Sequence, residues 1–177
     1  MITYREAKKL LDYDQTTGIF TWKEREIRSE FSRTDKTWNA RFAGKIAGTK
    51  HSDGYLTIVI FGEHYLAHRV VWLLAMGKWP KEHIDHINGV RDDNRLCNLR
   101  EATNEQNSYN SKTRSHSTSG IKGVRWKKDK RKWQARIRKS KKEIHLGYFS
   151  TSEAAHAAYI KASKGLHGEF ANDGQIK

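Results

Sequence analysis

A polar segment without an aliphatic side chain and without Phe, Trp or Tyr, residues 111–120, most constrains how this chain of 177 residues can fold. Its Ser, Thr, Lys, Arg, His and Gly residues offer nothing to bury, as in a linker. The sequence on either side must therefore form separate small cores, which suits a hydrophobic share of only 36%. We predict two domains, 1–113 and 120–177, joined by a linker over 114–119 that few contacts cross.

Positive charge is concentrated on one side of this linker. Residues 1–115 hold 19 Lys and Arg against 15 Asp and Glu, whereas residues 116–177 hold 15 against 5. This asymmetry, within a net charge of +14, favours a polyanionic partner, either nucleic acid or an anionic membrane. Because no apolar run could cross a bilayer and no signal peptide is recognisable, we expect no membrane partner and a cytoplasmic location.

The single cysteine, Cys97, limits the covalent and metal chemistry that the chain can use. One cysteine cannot form an internal disulfide, and there is no Cys-x-x-Cys pair to hold zinc. We therefore expect a reducing environment and no structural zinc.

The first segment, up to about residue 75, predicts short strands that precede a helix. Thr17-Gly18 is a turn signal before the strand-like run 19–22, and the β-branched run 55–60 predicts a buried strand. A helical pattern follows over 67–76.

Beyond the linker, three strand-like runs precede a helix. The runs cover about 121–127, 132–139 and 143–149. A capping signal at 150–153 opens the helix, whose alanines recur every four residues and suit close packing on a sheet. The predicted fold class is α+β, and the last domain is a three-stranded antiparallel sheet with one helix.

The polar segment 83–107 combines His, Asp and Asn at close spacing. Hydrolysis of a phosphodiester needs a base for a water, a hard cation at the phosphate oxygens and a fixed geometry. Histidine suits the first role at neutral pH, and carboxylate or amide oxygens suit a hard ion such as Mg²⁺. Neighbours on a regular strand point to opposite faces, so we expect Asp85 and His86 at a strand end or bulge.

This segment resembles the HNH endonucleases found in phages, including intron-encoded homing enzymes. The resemblance covers most of residues 1–113 and rests on His68-Arg69, Asp85-His86-Ile-Asn-Gly, Asp93-Asn94-Arg95, Asn98-Leu99-Arg100 and Asn107. It implies a ββα-metal fold that holds one divalent ion.

The resemblance also implies a role for each motif residue. His86 is the general base, and Asn98 holds the loop and orients that histidine. Asp85 and Asn107 are the metal ligands, and an amide at the latter position, where other members have His, implies Mg²⁺ or Mn²⁺ rather than Zn²⁺. For His68 we expect structural hydrogen bonding. Taken singly, Asp85 could be a turn residue and His86 a surface or core histidine, so only the combined order and spacing favour catalysis.

The last segment resembles an AP2 DNA-binding domain over about 120–171. The marks of the resemblance are Gly-Val-Arg at 123–125, Leu-Gly-Tyr-Phe at 146–149 and Ala-Ala-His-Ala-Ala-Tyr at 154–159. It implies a three-stranded sheet in the major groove of duplex DNA, with the helix behind the sheet.

Alternation along the second predicted strand agrees with a DNA-binding sheet. Trp133, Ala135 and Ile137 should face the helix, and the residues between them should face outward. We predict DNA contacts in two parts of the chain. In the middle loop they are Arg91 and Arg95. In the C-terminal segment they are Lys122, Arg125, Lys127, Gln134, Arg136, Arg138 and His145. The alternative for each is solvated charge on a surface loop or sheet.

These features together predict a site-preferring, homing-type endonuclease that binds double-stranded DNA as a monomer or homodimer. One site per chain cuts one strand, so the enzyme nicks or needs two chains or two visits. If a phage encodes the chain, its location is the host-cell cytoplasm. The alternatives are a DNA-binding regulator with a catalytically inert HNH fold and an RNA-binding protein.

Overall fold

A computed structural model describes residues 1–27, 33–113 and 117–174, and it confirms the α+β class. The helices are α1 (Tyr4–Leu10), α2 (Arg33–Phe42), α3 (Ala67–Met76), α4 (Asn104–Tyr109) and α5 (Ser152–His167). The strands are β1 (Leu11–Asp14), β2 (Ile19–Trp22), β3 (Thr49–Lys50), β4 (Leu56–Ile60), β5 (Glu63–Leu66), β6 (His83–His86), β7 (Leu99–Ala102), β8 (Val124–Lys127), β9 (Lys132–Lys139) and β10 (Lys142–Phe149). Within these described ranges, no helix is both long and apolar enough to span a bilayer.

Contacts between residues divide the chain into two compact units. The first unit consists of Met1–His86 and Val90–Glu101, and the second of Ile87–Gly89 and Ala102–Lys177. The predicted boundary after residue 113 falls inside the second unit, while the predicted linker over 114–119 lies partly outside the described residues.

The expectation of few contacts across the linker is wrong. The Lys122 ammonium donates to the carbonyl oxygen of Tyr109 at 2.7 Å, and the Tyr109 ring stacks on His167 with 3.6 Å between centroids. These partners are far apart in sequence, so no local sequence pattern predicts their contacts. Helix α4 therefore packs with the C-terminal module, which we define as residues 120–174.

Three small sheets contribute to the first unit. They are the antiparallel hairpin β1-β2, the antiparallel sheet β3-β4-β5 and the pair β6-β7. Helix α3 packs against β4, β5 and α1, and its C-cap Gly77 adopts the left-handed conformation (φ 72°) that glycine favours. The core is largely aliphatic, with Phe20, Leu11, Ile58, Ile60, Leu73, Val70 and Val71 among its fully buried side chains.

The predictions for this unit are confirmed for β2, β4 and α3, but α1 and α2 were not predicted. Helix α1 begins at a capping box in which the amide of Glu6 donates to the Thr3 hydroxyl and the amide of Thr3 donates to the Glu6 carboxylate. That signal is present in the sequence. Helix α2 carries few apolar side chains, so no apolar run marks it in the sequence.

The second unit contains the predicted three strands followed by one helix. Its sheet has the order β10-β9-β8, and α5 packs across β9 over a small core of Val124, Ala135 and Ala155. At Gly123 (φ 74°), a Cβ atom would lie 2.1 Å from the ring of Tyr159. Only glycine therefore lets the start of the sheet approach the helix so closely.

Candidate functional site

Asp85 and His86 are the last two residues of β6, and the chain turns away directly after them. The expectation of a strand end is therefore confirmed. Both side chains are buried, with 5% and 4% of their surface exposed, whereas His83 at the other end of the strand is exposed. Two consecutive buried polar residues require partners on both faces of the strand.

The His86 imidazole is enclosed by Asn94, His68 and Tyr55. Its Nε2 lies 3.3 Å from the Asn94 side-chain oxygen, and its ring centroid lies 5.0 Å from that of His68 and 6.0 Å from that of Tyr55. Because an amide oxygen only accepts hydrogen bonds, the proton sits on Nε2 of His86. This tautomer makes Nδ1 the basic nitrogen.

Both histidines of this cluster are neutral at pH 7. Burial lowers the pKa of His86 below its usual value, and Asn94 and the nearby aspartates only partly oppose that effect. Burial also lowers the pKa of His68 to about 3, with a further contribution from positive charge on His86 and Arg69. A neutral imidazole at position 86 is in the form that can accept a proton from water.

His68, at the start of α3, differs from its expected role. It is buried, but its Nδ1 atom has no hydrogen-bond partner within the described part of the chain. Its contacts are instead between rings, with Tyr55 at 5.3 Å and His86 at 5.0 Å between centroids. The structural hydrogen bonding predicted for this residue is therefore wrong at Nδ1, and ring packing takes its place.

Asn94 was part of the motif but was not assigned to the site. Its side chain is only 1% exposed, and its backbone oxygen accepts a hydrogen bond of 2.8 Å from the Tyr13 hydroxyl. The turn of the β1-β2 hairpin packs against the same loop, since a Cβ atom on Gly18 (φ 74°) would lie 2.6 Å from the Arg95 nitrogen. The hairpin thus fixes the backbone that presents Asn94 to His86.

Asn98 is also buried, in a short 3-10 helix of residues Leu96–Asn98. Its side-chain amide donates to the backbone oxygen of Asp93 at 2.8 Å, which closes the loop of residues 90–98. Asn94 contributes a hydrogen-bonding contact to the His86 ring, and the orienting role of Asn98 stays a prediction.

Arg100 on β7 forms a buried ion pair with Asp85. Its Nη2 and Nε atoms lie 2.8 Å and 2.9 Å from Oδ2 of the carboxylate. A guanidinium and a carboxylate in such geometry stabilise each other, and removal of either leaves a buried charge. The carboxylate that the resemblance assigns to a cation is thus balanced by a protein cation.

The proposed metal ligands offer hard donors. Asp85 supplies a carboxylate, and Asn107, half-buried on α4 in the second unit, supplies an amide oxygen. Such oxygens suit Mg²⁺ or Mn²⁺. Among the described residues, the proposed site included, no three side chains of His, Cys, Asp or Glu are grouped to hold a metal ion.

The two arginines predicted to contact phosphate in the loop are both exposed. Arg91 donates to the backbone oxygen of Asp53 at 2.6 Å and lies over the Tyr55 ring, so no carboxylate of the described residues neutralises it. Arg95 instead forms an ion pair with Asp93, at 2.6 Å between Nη2 and Oδ2. Arg91 is therefore the better placed of the two to meet a phosphate.

A hydrogen-bonded row crosses the outer face of the C-terminal sheet. The Arg125 Nε atom donates to Gln134 at 2.7 Å, and the Gln134 amide nitrogen lies 2.8 Å from Nδ1 of His145. Gln134 was predicted to contact DNA, but it is only 7% exposed because its neighbours cover it. Gln134 lies between Arg125 and His145 and fixes the orientation of both side chains through these hydrogen bonds.

The remaining predicted DNA contacts of the module differ in their surroundings. Arg138 is exposed and Lys127 half-buried, whereas Arg136 forms an ion pair with Glu143 at 2.5 Å. Lys122 is turned inward, and its ammonium is bound by the carbonyl oxygens of Tyr109 and Ser111. The prediction of a DNA contact at Lys122 conflicts with this placement.

Comparisons with known proteins bear on the same residues. The sequence profile of a family described as HNH endonuclease matches residues 65–109, which include His68, Asp85, His86, Asn94 and Asn107. Protein 3.8 of Escherichia phage T7 is 36% identical over 105 residues, which are 59% of this chain and 86% of that protein. An uncharacterized HNH endonuclease of Acanthamoeba polyphaga mimivirus is 32% identical over 124 residues, 70% of this chain and 64% of the relative. No solved structure gives a significant match.

Proposed function

We propose that the chain, whose residues 65–109 match the HNH endonuclease family, is a metal-dependent endonuclease that hydrolyses phosphodiester bonds in double-stranded DNA. The observation that carries this proposal is the state of His86. Its ring is buried, its pKa is lowered, and Asn94 holds the proton on Nε2. A neutral, oriented imidazole is what a general base at pH 7 requires.

In the proposed reaction, His86 takes a proton from a water through Nδ1. The resulting hydroxide attacks phosphorus in line with the 3′ oxygen, which leaves and takes up a proton from solvent, so the products carry 5′-phosphate and 3′-hydroxyl ends. Asn94 keeps His86 in this tautomer, and Asn98 keeps the loop of residues 90–98 closed through its hydrogen bond to Asp93. Arg91 binds a phosphate near the scissile bond, since its charge is exposed and not paired with a carboxylate of the described residues.

The proposed ligands of a divalent ion are Asp85 and Asn107. When bound, Mg²⁺ or Mn²⁺ would supply positive charge to the phosphate and to the leaving oxygen. One carboxylate and one amide give a site of low charge, and Arg100 already balances the carboxylate. We therefore expect metal affinity to be weak and dependent on Arg100.

We further propose that the C-terminal module, as an AP2-like domain, binds the duplex and gives the enzyme a preference for certain sites, as in homing enzymes. Its sheet carries ordered donors at Arg125 and His145 and an exposed guanidinium at Arg138. Side chains of this kind read base edges in the major groove. One nuclease site per chain implies nicking by a monomer, or a double-strand cut by two chains. Since Protein 3.8 belongs to a phage, the proposed place of action is the host cytoplasm.

A plasmid assay tests this function. The protein should convert supercoiled plasmid to the nicked form with Mg²⁺ or Mn²⁺, and a chelator should stop the reaction. His86→Ala should slow nicking by about 10²–10⁴-fold while DNA affinity stays within about twofold. The control His83→Ala removes an exposed histidine from the same strand and should leave the rate unchanged. A rate near wild type for His86→Ala would contradict the assignment.

The alternative function is a DNA-binding regulator whose HNH fold is inert. The ion pair of Arg100 with Asp85 favours it, because that carboxylate is already neutralised without a metal. This alternative predicts duplex binding without cleavage in either Mg²⁺ or Mn²⁺, and an unchanged melting temperature when these ions are added.

A further inference from the structure

We propose that Lys122 and His167 are positioning residues of the nuclease, because they hold the helix that carries Asn107. This inference rests on the proposed function, since it takes Asn107 as a metal ligand. It assigns to the C-terminal module a second role besides DNA binding, which is to hold the helix of a proposed metal ligand.

Helix α4 lacks the means to be stable alone. It has six residues, none of which is buried, and isolated helices of this length are marginal in water. A capping box secures its first turn, where the amide of Gln106 donates to the Thr103 hydroxyl and the amide of Thr103 donates to the Gln106 side chain. Support for the last turn must come from outside the helix.

Lys122 supplies that support at the C-terminal end of α4. Its ammonium donates to the backbone oxygens of Tyr109, at 2.7 Å, and Ser111, at 2.5 Å. The last carbonyls of a helix have no partner within it, and positive charge there also favours the helix dipole. Burial lowers the pKa of Lys122 to about 8, which reflects an ammonium enclosed by protein rather than one presented to solvent and phosphate.

His167, at the end of α5, holds the side of α4. Its ring stacks on Tyr109 with 3.6 Å between centroids and 7° between planes, and its Nε2 atom donates to the backbone oxygen of Arg138 at 2.9 Å. One imidazole thus joins α4 to α5 and β9.

Two further contacts complete the attachment of this segment. The backbone amide of Lys141 donates to the Glu105 carboxylate at 3.3 Å, and the Asn172 amide donates to the Asn110 side chain at 2.9 Å. Asn107 lies between these anchored residues in sequence. The orientation of its amide therefore depends on the module, and loss of an anchor should weaken metal binding before it weakens DNA binding.

The test uses full-length point variants. Lys122→Met removes the cap, and Lys122→Arg restores a cation that can bind carbonyl oxygens. Lys161→Met removes one charge from an exposed position of α5, and Lys127→Met removes one from the sheet. For each protein we would measure Mn²⁺ binding by paramagnetic resonance without DNA, hydrogen exchange of the α4 amides, DNA affinity, and the Mg²⁺ concentration that gives half-maximal nicking.

Lys122→Met should raise both metal midpoints by about tenfold or more, as losses around metal ligands commonly do, and should speed exchange in α4. Its DNA affinity should match that of Lys161→Met. Lys122→Arg should recover most of the metal affinity, and Lys127→Met should weaken DNA binding with an unchanged metal midpoint. His167→Phe, which keeps the stack but loses the hydrogen bond, should show a smaller shift of the same kind and serves if Lys122→Met is poorly folded.

Two results would overturn the inference. If Lys122→Met loses DNA affinity while its metal midpoints and α4 exchange stay at wild-type values, Lys122 is a DNA contact. If the variant's α4 exchanges faster but Mn²⁺ binds as tightly as before, the helix is anchored but Asn107 is not a ligand. Failure of the proposed function is distinguishable, because the wild-type chain itself would then neither bind Mn²⁺ nor nick plasmid.

Discussion

The polar residues of the β6–β7 region and those of the C-terminal sheet show two different uses of charge. Around His86 the side chains are buried, and each is fixed by a partner inside the first unit, such as Asn94 on His86 and Arg100 on Asp85. On the sheet, Arg138 and His145 are exposed and remain accessible to a ligand. Buried hydrogen bonds to charged groups are worth about 1.5–3 kcal/mol, whereas exposed ion pairs contribute about 0.2–1 kcal/mol.

In the proposed function, the buried residues around His86 position a catalytic side chain, whereas the exposed residues of the C-terminal sheet attract DNA. A general base must keep one tautomer and one orientation, which requires buried and directional contacts. A surface that attracts a polyanion works through the number and accessibility of its charges, and salt screens it. Substitutions in the two regions should therefore differ in size and in their dependence on metal, pH and salt.

The largest expected effect is on the buried ion pair. Arg100→Gln should lower the free energy of unfolding by about 3–5 kcal/mol in chelator, because Asp85 would remain buried without its guanidinium. Saturating Mg²⁺ should restore part of the loss if the carboxylate is a metal ligand. Arg95→Gln breaks an exposed pair with Asp93 and should cost about 1 kcal/mol or less. Urea unfolding of both variants, with and without Mg²⁺, measures this, and equal losses would remove the distinction between the regions.

Acid should destabilise the region around His86. The pKa values of His68 and His86 in the folded chain lie below the ordinary value, so the unfolded chain takes up protons first as the pH falls. Stability is fully present above about pH 6.5 and should fall by up to about 1.4 kcal/mol per pH unit for each group below that, for His68 down to about pH 3. Unfolding of wild type and His68→Gln at pH 7.5, 5.5 and 4.5 gives the slopes. The slope should be smaller in the variant.

Substitution of Asn94 should mainly reduce the nicking rate, whereas substitution of Asn98 should mainly reduce stability. Asn94→Ala should slow nicking by about 10–100-fold, because the tautomer and orientation of His86 are lost. Asn98→Ala removes a buried hydrogen bond to Asp93 and should cost about 1–3 kcal/mol of stability. Single-turnover nicking and thermal unfolding, measured on both variants, compare them. A larger catalytic loss in Asn98→Ala would return the orienting role to that residue.

The smallest effect is expected on the sheet. Glu143→Gln releases Arg136 from its ion pair and removes a negative charge from the proposed DNA-binding face. Affinity for any duplex should rise by about two- to fivefold at low salt, with little change at high salt and none in the metal requirement. Fluorescence anisotropy over a salt series measures it. Weaker binding by the variant would show that Glu143 orders Arg136 for base recognition instead.

Local patterns predicted much of this molecule because they report local physics. The period of two in 132–139, the β-branched run that forms β4 and the helical run that forms α3 each reflect one buried face, and each element is confirmed. The place of Asp85 and His86 at a strand end followed from strand geometry alone. Helix α2 is as long as α3 but carries few apolar side chains, so no apolar run marked it and it was missed.

Charge patterns were less reliable guides to exposure. Lys122 and Gln134 belong to a basic, alternating segment, yet the first is bound by the carbonyls of α4 and the second is covered by Arg125 and His145. Composition gives the number of charges in a segment, but their accessibility depends on neighbours that come from other strands and helices.

The sequence by itself determined the order of the elements in the C-terminal domain, the excess of positive charge there and the motif that matches the HNH endonuclease family. The tertiary structure alone decided that Asn94 contacts His86, that Arg100 balances Asp85 and that α4 packs with the C-terminal module. The physical reason is that propensity and alternation depend on residues a few positions apart. Burial, pKa and ion pairing instead depend on atoms brought together from as far apart in sequence as Tyr109 and His167.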